Sequence, residues 1–346
     1  MKKKFFYIWM MTFICVVTAC NNDEYNTNDL KENSRVTIGT NINHGLYTRA
    51  TPPTLPGYIM RFALEVWQQD QIIYREEKLQ ESQDMVFSFN LENPGEYNVL
   101  VWADYIKESP ETTEKTEPYT YTHYADLYYQ TDMSNGLKEI TIIPENYIIN
   151  DASRDAFCVC QTITKSALEC KQTLTLNRPF GQLNLIEKDS TLLEKVKKMN
   201  CSYKVPETFN VETSTLGHTT LDIQASVETL PTSGDNHKAN ILYDYIFAPT
   251  GNSNYLSLIT LKFKSNDPLF YLNTFTLPEN TIPMLRNKRT NAKGSIIKQT
   301  SAASGKTDIT ITIDSEWQPD QEHPLTPSDK ESTLSDFNNQ NNPFSK

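Results

Sequence analysis

Glycine is scarce in this chain, 11 of 346 residues, and with it go the loops that cradle phosphates; no Gly-rich phosphate loop and no Gly-x-Ser-x-Gly elbow occurs. Histidine is rarer still. His44, His123, His218, His237 and His323 have no spacing that suits zinc, and none is flanked by an acid or cysteine in a catalytic arrangement. Acidic neighbours such as Glu76 and Glu77, or Asp104, read as solvated strand ends rather than as a glycosidase pair. The expectation is therefore no enzyme: no catalytic residue, no cofactor and no metal. Basic residues are outnumbered, 32 Lys and Arg against 43 Asp and Glu, for a net charge of −11. That balance disfavours nucleic acid and anionic headgroups as partners. Long Ala/Leu/Glu/Lys tracts are missing too, while Tyr, Phe and Thr are plentiful, which favours sheet over helix.

What is present begins at the first residue. Lys2, Lys3 and Lys4 precede an apolar run from Phe5 to Val17, too short for a comfortable bilayer span, and the small residues Thr18 and Ala19 lead into Cys20. This is an export signal over residues 1–19, and its ending resembles a bacterial lipobox. Cys20 is then the lipidation site, and acyl chains hold the protein to an outer membrane without a spanning helix. Loss of the three lysines takes the net charge from −11 to −14. Residues 20–34, rich in Asn, Asp and Glu, read as a solvated tether.

Cys15 falls in the signal, which leaves Cys158, Cys160, Cys170 and Cys201 for the folded part. Cys158 and Cys160 stand two apart on a strand, share a face and cannot easily bond to each other. Two readings stay open: a disulfide within this set, such as either of them to Cys170 across a hairpin, or four buried thiols that behave as small apolar side chains.

Alternation places strands at residues 58–67, 72–79, 85–91 and 97–103, with Met60, Phe62, Leu64 and Val66 toward a core, Ile59, Arg61, Ala63 and Glu65 on the other face, and a turn at Asn93-Pro94-Gly95. Residues 106–122 are polar and read as an exposed excursion. Tyr119, Tyr121, Tyr124, Tyr128 and Tyr129 follow, a candidate contact surface or simply cross-strand packing. Further strands fall at 137–143, 156–164, 173–186, 201–205, 219–227, 240–248, 256–263, 269–276, 294–300 and 308–313, with a short amphipathic helix at 191–199. These give an N-terminal domain over 35–168, a C-terminal domain over 169–317 and a polar tail over 318–346.

Several local patterns occur in one order along the chain. Arg61-Phe62-x-Leu64-Glu65-Val66, Gly95-x-Tyr97 and Val101-Trp102-Ala103-Asp104-Tyr105 lie in the first unit. Thr175-Leu176-x-Arg178-Pro179-Phe180, Tyr243-Asp244-Tyr245-Ile246-Phe247-Ala248, Ile282-Pro283-x-Leu285-Arg286-Asn287 and Asp314-x-Glu316-Trp317 lie in the second. Together behind a lipobox they resemble the Bacteroidetes fimbrillin-like lipoproteins, whose members include fimbrial anchor subunits and domain-of-unknown-function relatives. The acids Asp23 and Glu24 resemble the surface-export signal of such lipoproteins. The resemblance implies an all-β chain of two tandem transthyretin-like β-sandwich domains, and subunits that join when an extended strand completes a neighbour's groove. Shaft subunits of that family are cut after an arginine, which makes Arg49-Ala50 a candidate processing site, whereas anchors keep their lipid. The tail after Trp317 lacks the alternating apolar residues of a donor strand. The expected function is an outer-membrane, surface-exposed fimbrial anchor or accessory subunit with other fimbrial subunits as partners and a host or glycan ligand for adhesion. The alternative is a surface glycan-binding lipoprotein of a nutrient-uptake system, offering Trp67, Trp102 or the tyrosine cluster as platforms, although these tryptophans sit where a core would take them.

Overall fold

The computed structural model describes residues 34–43, 55–80, 85–116, 119–228, 230, 240–251, 254–267, 271–299 and 309–314. The chain is all-β. Five strands open it: β1 Arg35–Ile42, β2 Tyr58–Gln68, β3 Gln71–Leu79, β4 Met85–Asn90 and β5 Gly95–Lys107. Short strands follow, β6 Thr112–Lys115, β7 Tyr121–Tyr124, β8 Tyr129–Gln130 and β9 Ile140–Ile142, then two long ones, β10 Ala156–Lys165 and β11 Cys170–Leu176. The remainder comprises β12 Phe180–Glu187, β13 Val196–Pro206, β14 Thr208–Asn210, β15 Thr215–Leu216, β16 Thr220–Val227, β17 Asn240–Phe247, β18 Asn254–Tyr255, β19 Ile259–Ser265, β20 Thr274–Leu277, β21 Pro283–Met284, β22 Lys288–Gly294 and β23 Ile309–Asp314.

The first sandwich stacks β11-β1-β4 on β10-β5-β2-β3, and the second stacks β17-β12-β22-β23 on β16-β13-β19-β20. Alternation explains the first core: Met60, Phe62, Leu64 and Val66 of β2 meet Val36 and Ile38 of β1, Phe87 and Phe89 of β4, and Leu174 and Leu176 of β11. The turn at Asn93-Pro94-Gly95 joins β4 and β5. Two residues, Gln69 and Asp70, join β2 and β3, both at positive φ as a tight hairpin with right-handed twist demands.

Three expectations are corrected. The run 173–186 is not one strand opening the second unit. β11 pairs in parallel with β1, from Val36 opposite Cys170 to Ile42 opposite Leu176, and so completes the first sandwich, while β12 begins the second. Arg178-Pro179 makes the break, since a proline has no amide to give a ladder. The amphipathic segment 191–199 is a 3₁₀ turn, Ser190–Lys195, that runs into β13; Asp189 caps it by accepting from the Thr191 amide, and Val196, Met199 and Cys201 go to the sheet's core face. The excursion after β5 is shorter than 106–122. Residues 107–116 are largely exposed, but the described residues from Tyr119 on fold back over the outer face of β10-β5-β2-β3, and β9 pairs with β14 to tie the layer to the second unit. Arg61, Ala63 and Glu65, on the face of β2 opposite the first core, are therefore fully buried.

Candidate functional site

The N-terminal strand lies in the middle of its sheet. β1 has β11 on one side and β4 antiparallel on the other, Arg35 opposite Asn90 through Thr40 opposite Met85. Val36 and Ile38 are 0% exposed and Thr40 is 3%, so three alternate side chains fill a slot floored by the first core. The ladder extends past both ends: the Leu91 amide donates to the Ser34 carbonyl at 2.8 Å and the Asn43 amide to the Leu176 carbonyl at 2.9 Å. At the exit, Asn43 Nδ2 donates to Asn177 Oδ1 at 2.8 Å. The strand next to the expected tether is thus an integral core strand with strands on both flanks. Cys20, Arg49, Ala50 and the tail 318–346 lie outside the described residues.

A charged layer lies on the far side of the other sheet. Arg61 Nε and Nη2 donate to the two oxygens of Asp104 at 3.0 and 2.9 Å, and Nη1 donates to Asp126 Oδ1 and the Tyr124 carbonyl, both at 2.7 Å. Arg75 joins Glu65 to Glu77, and Glu65 also accepts from Trp67 Nε1 at 2.8 Å and from the Leu137 amide at 2.9 Å. Gly136 permits that last approach: its φ is +50°, and a Cβ there would collide with the Glu65 carboxylate. Burial pushes Glu65 up despite Arg75. For Glu77 burial acts upward as well, but the His123 hydrogen bond and the Arg61 and Arg75 charges outweigh it and hold the carboxyl at about 2. A second knot ties the covering layer to the second sandwich: Arg154, 1% exposed, pairs with Asp244, which also accepts from Tyr147 and Tyr203, and Arg178 grips Asp155 through Nε and Nη2. These groups hold layers together. They were detectable in the sequence only as charges inside apolar strands, Arg61 and Glu65 in β2, Asp104 in β5 and Asp244 in β17.

Most of the candidate platforms are inside, and Tyr119 and Tyr124 are half-buried. Trp102 is 0% and Trp67 7% exposed, Tyr121, Tyr128 and Tyr129 are buried, and Tyr129 packs against Trp102, Phe180 and Phe247. Lys138 covers the Trp67 ring at 4.3 Å. No flat aromatic surface is presented by these residues.

The four cysteines are free thiols. Cys158 lies on the outer face of β10 with Trp102, Cys160 packs on the same side, Cys170 sits in the inner core between the two sheets, and Cys201 belongs to the second sandwich. The hairpin pairing of Cys158 or Cys160 with Cys170 is thereby corrected, because a sheet separates them. Burial pushes Cys158 and Cys160 up to about 11. Among the described residues no group of three or more His, Cys, Asp or Glu side chains is placed to hold a metal, and no helix is long and apolar enough to cross a membrane.

Comparison with known proteins gives the following. A family profile described as a family of unknown function, DUF6562, matches residues 25–342. No curated protein matches the chain. Among solved structures the chain is similar to a candidate cell adhesion protein from Parabacteroides distasonis, 10% identical, covering 84% of this chain and 99% of that one with a TM-score of 0.49. It is similar to a fimbrial assembly protein from the same species, 12% identical over 80% and 94% with a TM-score of 0.42. It is also similar to the tip fimbrial protein Mfa3 from Porphyromonas gingivalis, 9% identical over 82% and 99% with a TM-score of 0.41.

Proposed function

We propose a role for this chain from its own geometry, since it belongs to DUF6562, a family of unknown function: a surface lipoprotein, held to the outer membrane at Cys20, that serves as a fimbrial anchor or accessory subunit and joins other subunits through β-strand complementation. The observation that carries this reading is the position of β1. It is the first strand of the chain's described part, it lies between β4 and β11, and its alternate residues Val36, Ile38 and Thr40 fill a slot in the first core. The connection that follows it in sequence, between Asn43 and Leu55, carries Arg49-Ala50.

Two states follow from that order. Uncut, the chain keeps β1 in its slot and the lipid attached to the domains, as an end of an assembly requires. Once the chain is cut after Arg49, the lipid and β1 are no longer joined covalently to the rest of it, and displacement of β1 would leave an apolar slot between β4 and β11, a template for an extended strand of another subunit. The sequence resemblance to fimbrillin-like lipoproteins supports the same reading. Intact mass and N-terminal sequencing of protein recovered from outer membranes of the native host test it. A lipid-modified Cys20 start is expected for a membrane-held subunit, and a start at Ala50 would overturn the fixed-anchor role in favour of a processed subunit.

A further inference from the structure

The mean charge conceals a division of sign. From Arg178 to Asp314 the chain has 15 Lys and Arg against 13 Asp and Glu, although the whole has 32 against 43. Part of that surplus lies on one surface, the solvent face of β16-β13-β19-β20. Met199 and Cys201 of β13 and Leu261 and Phe263 of β19 point into the second core, so the residues between them must face water. Those residues include Lys198 and Lys204 on β13 and Lys262 and Lys264 on β19. Register places Lys264 opposite Lys198 and Lys262 opposite Asn200.

Like charges directly opposed disfavour strand pairing, and no contact in the core calls for lysine at either position. Lys198 is drawn to Glu228 and Lys204 to Asp222, but Lys262 and Lys264 are exposed and have no ion-pair partner among the described residues. Beside the lysines runs a row of neutral hydrogen-bonding groups across all four strands, Gln224, Ser202, Thr260 and Thr276 in register. At strand spacing this row is about 15 Å long, and Lys262 and Lys264 stand about 7 Å apart along β19.

We propose that this face binds an anionic polysaccharide, with Lys262 and Lys264 holding its carboxylate or sulfate groups and the hydroxyl and amide row its sugar hydroxyls. The choice of occupant follows from what the face lacks. Its outward strand positions carry no aromatic or large apolar side chain to act as the anchor of a protein interface, and none to enter a lipid layer. Charge complementarity with neutral hydrogen-bonding groups between the charges suits a flexible, polyhydroxylated polyanion.

Affinity electrophoresis of the full chain through gels containing alginate, heparin or neutral dextran tests the proposal, alongside flotation with vesicles of phosphatidylglycerol or phosphatidylcholine. Retardation by alginate or heparin but not dextran is expected, weakening as salt rises. The double variant K262E/K264E should bind the polyanions at least 10-fold more weakly, whereas K188E/K293E, the same change in net charge at two exposed positions, one just past β12 and one on β22 of the other sheet, should bind as the parent does. Unchanged melting of both variants separates loss of binding from loss of fold. The proposal is overturned by no retardation with either polyanion, by equal losses in the two double variants, or by a lysine-dependent preference for phosphatidylglycerol over phosphatidylcholine that exceeds the polysaccharide effect.

Discussion

Arg61 and Asp104 occupy directly opposed positions on β2 and β5 and close a two-point ion pair with side chains 0% and 1% exposed. Removing the charge of Asp104 leaves Arg61 buried with only Asp126 and the more distant Glu77, so Asp104→Asn should destabilise the chain by about 3 kcal/mol. Chemical denaturation measures it. Glu76→Gln, which alters the half-exposed pair with Lys78 and keeps an oxygen to accept from the Tyr74 hydroxyl, should change stability by less than about 1 kcal/mol in the same assay.

Glu77 gives the pH dependence its sign. Its folded carboxyl titrates at about 2, below the ordinary 4.5, so its contribution is fully present above pH 4.5 and is lost as pH falls toward 2. Glu77→Gln should cost about 3 kcal/mol at pH 7, and the gap between parent and variant should narrow steadily when unfolding is measured from pH 4.5 down to pH 2.5. A gap that stays constant over that interval would disprove the assignment.

Ile38 lies in the β1 slot with no exposure. Truncation to alanine should cost about 3 kcal/mol through lost burial and a residual cavity. Thr37→Ala, on the outward side of the same strand, should move the denaturation midpoint little. Equal effects at both positions would mean that β1 does not contribute to the core.

The thiols offer a chemical check. With Cys158 and Cys160 held near 11 and Cys201 near 12 by burial, the thiolate fraction at neutral pH is about one part in ten thousand or less. Native protein should react with a maleimide only very slowly, and unfolded protein should label at Cys158, Cys160, Cys170 and Cys201 without any reductant. A peptide map showing a bond between any two of them would contradict the structure.

Much of the fold was legible because strands write their burial in period two. The inward set of β2, the turn at Asn93-Pro94-Gly95 and the hidden tryptophans all follow from local alternation. The covering layer was not legible, since burial of Arg61 and Glu65 depends on residues up to 72 positions away, and sequence alternation looks the same whether the second face meets water or a polar lid. The β2–β3 turn escaped notice because Gln69-Asp70 adopts positive φ without a glycine to announce it. The run 173–186 misled for a similar reason: both pieces alternate well, and only the partners differ. The slot of β1 was hidden too, because its neighbours β4 and β11 are separated from it by long stretches of chain.

The parallel pairing of β1 with β11 bears on how the molecule takes a pull. β1 is entered from the N-terminal side and β11 leaves toward the second sandwich, and since the two run the same way, the entry end of one lies beside the start of the other, Val36 next to Cys170. Tension between the N-terminal end and the second sandwich therefore draws the two strands along their length in opposite senses, so that the hydrogen bonds from Val36 to Ile42 share the load at once instead of parting singly. How long such a chain survives traction is set by the rate of rupture rather than by its equilibrium stability, and a sheared ladder of this kind ruptures slowly.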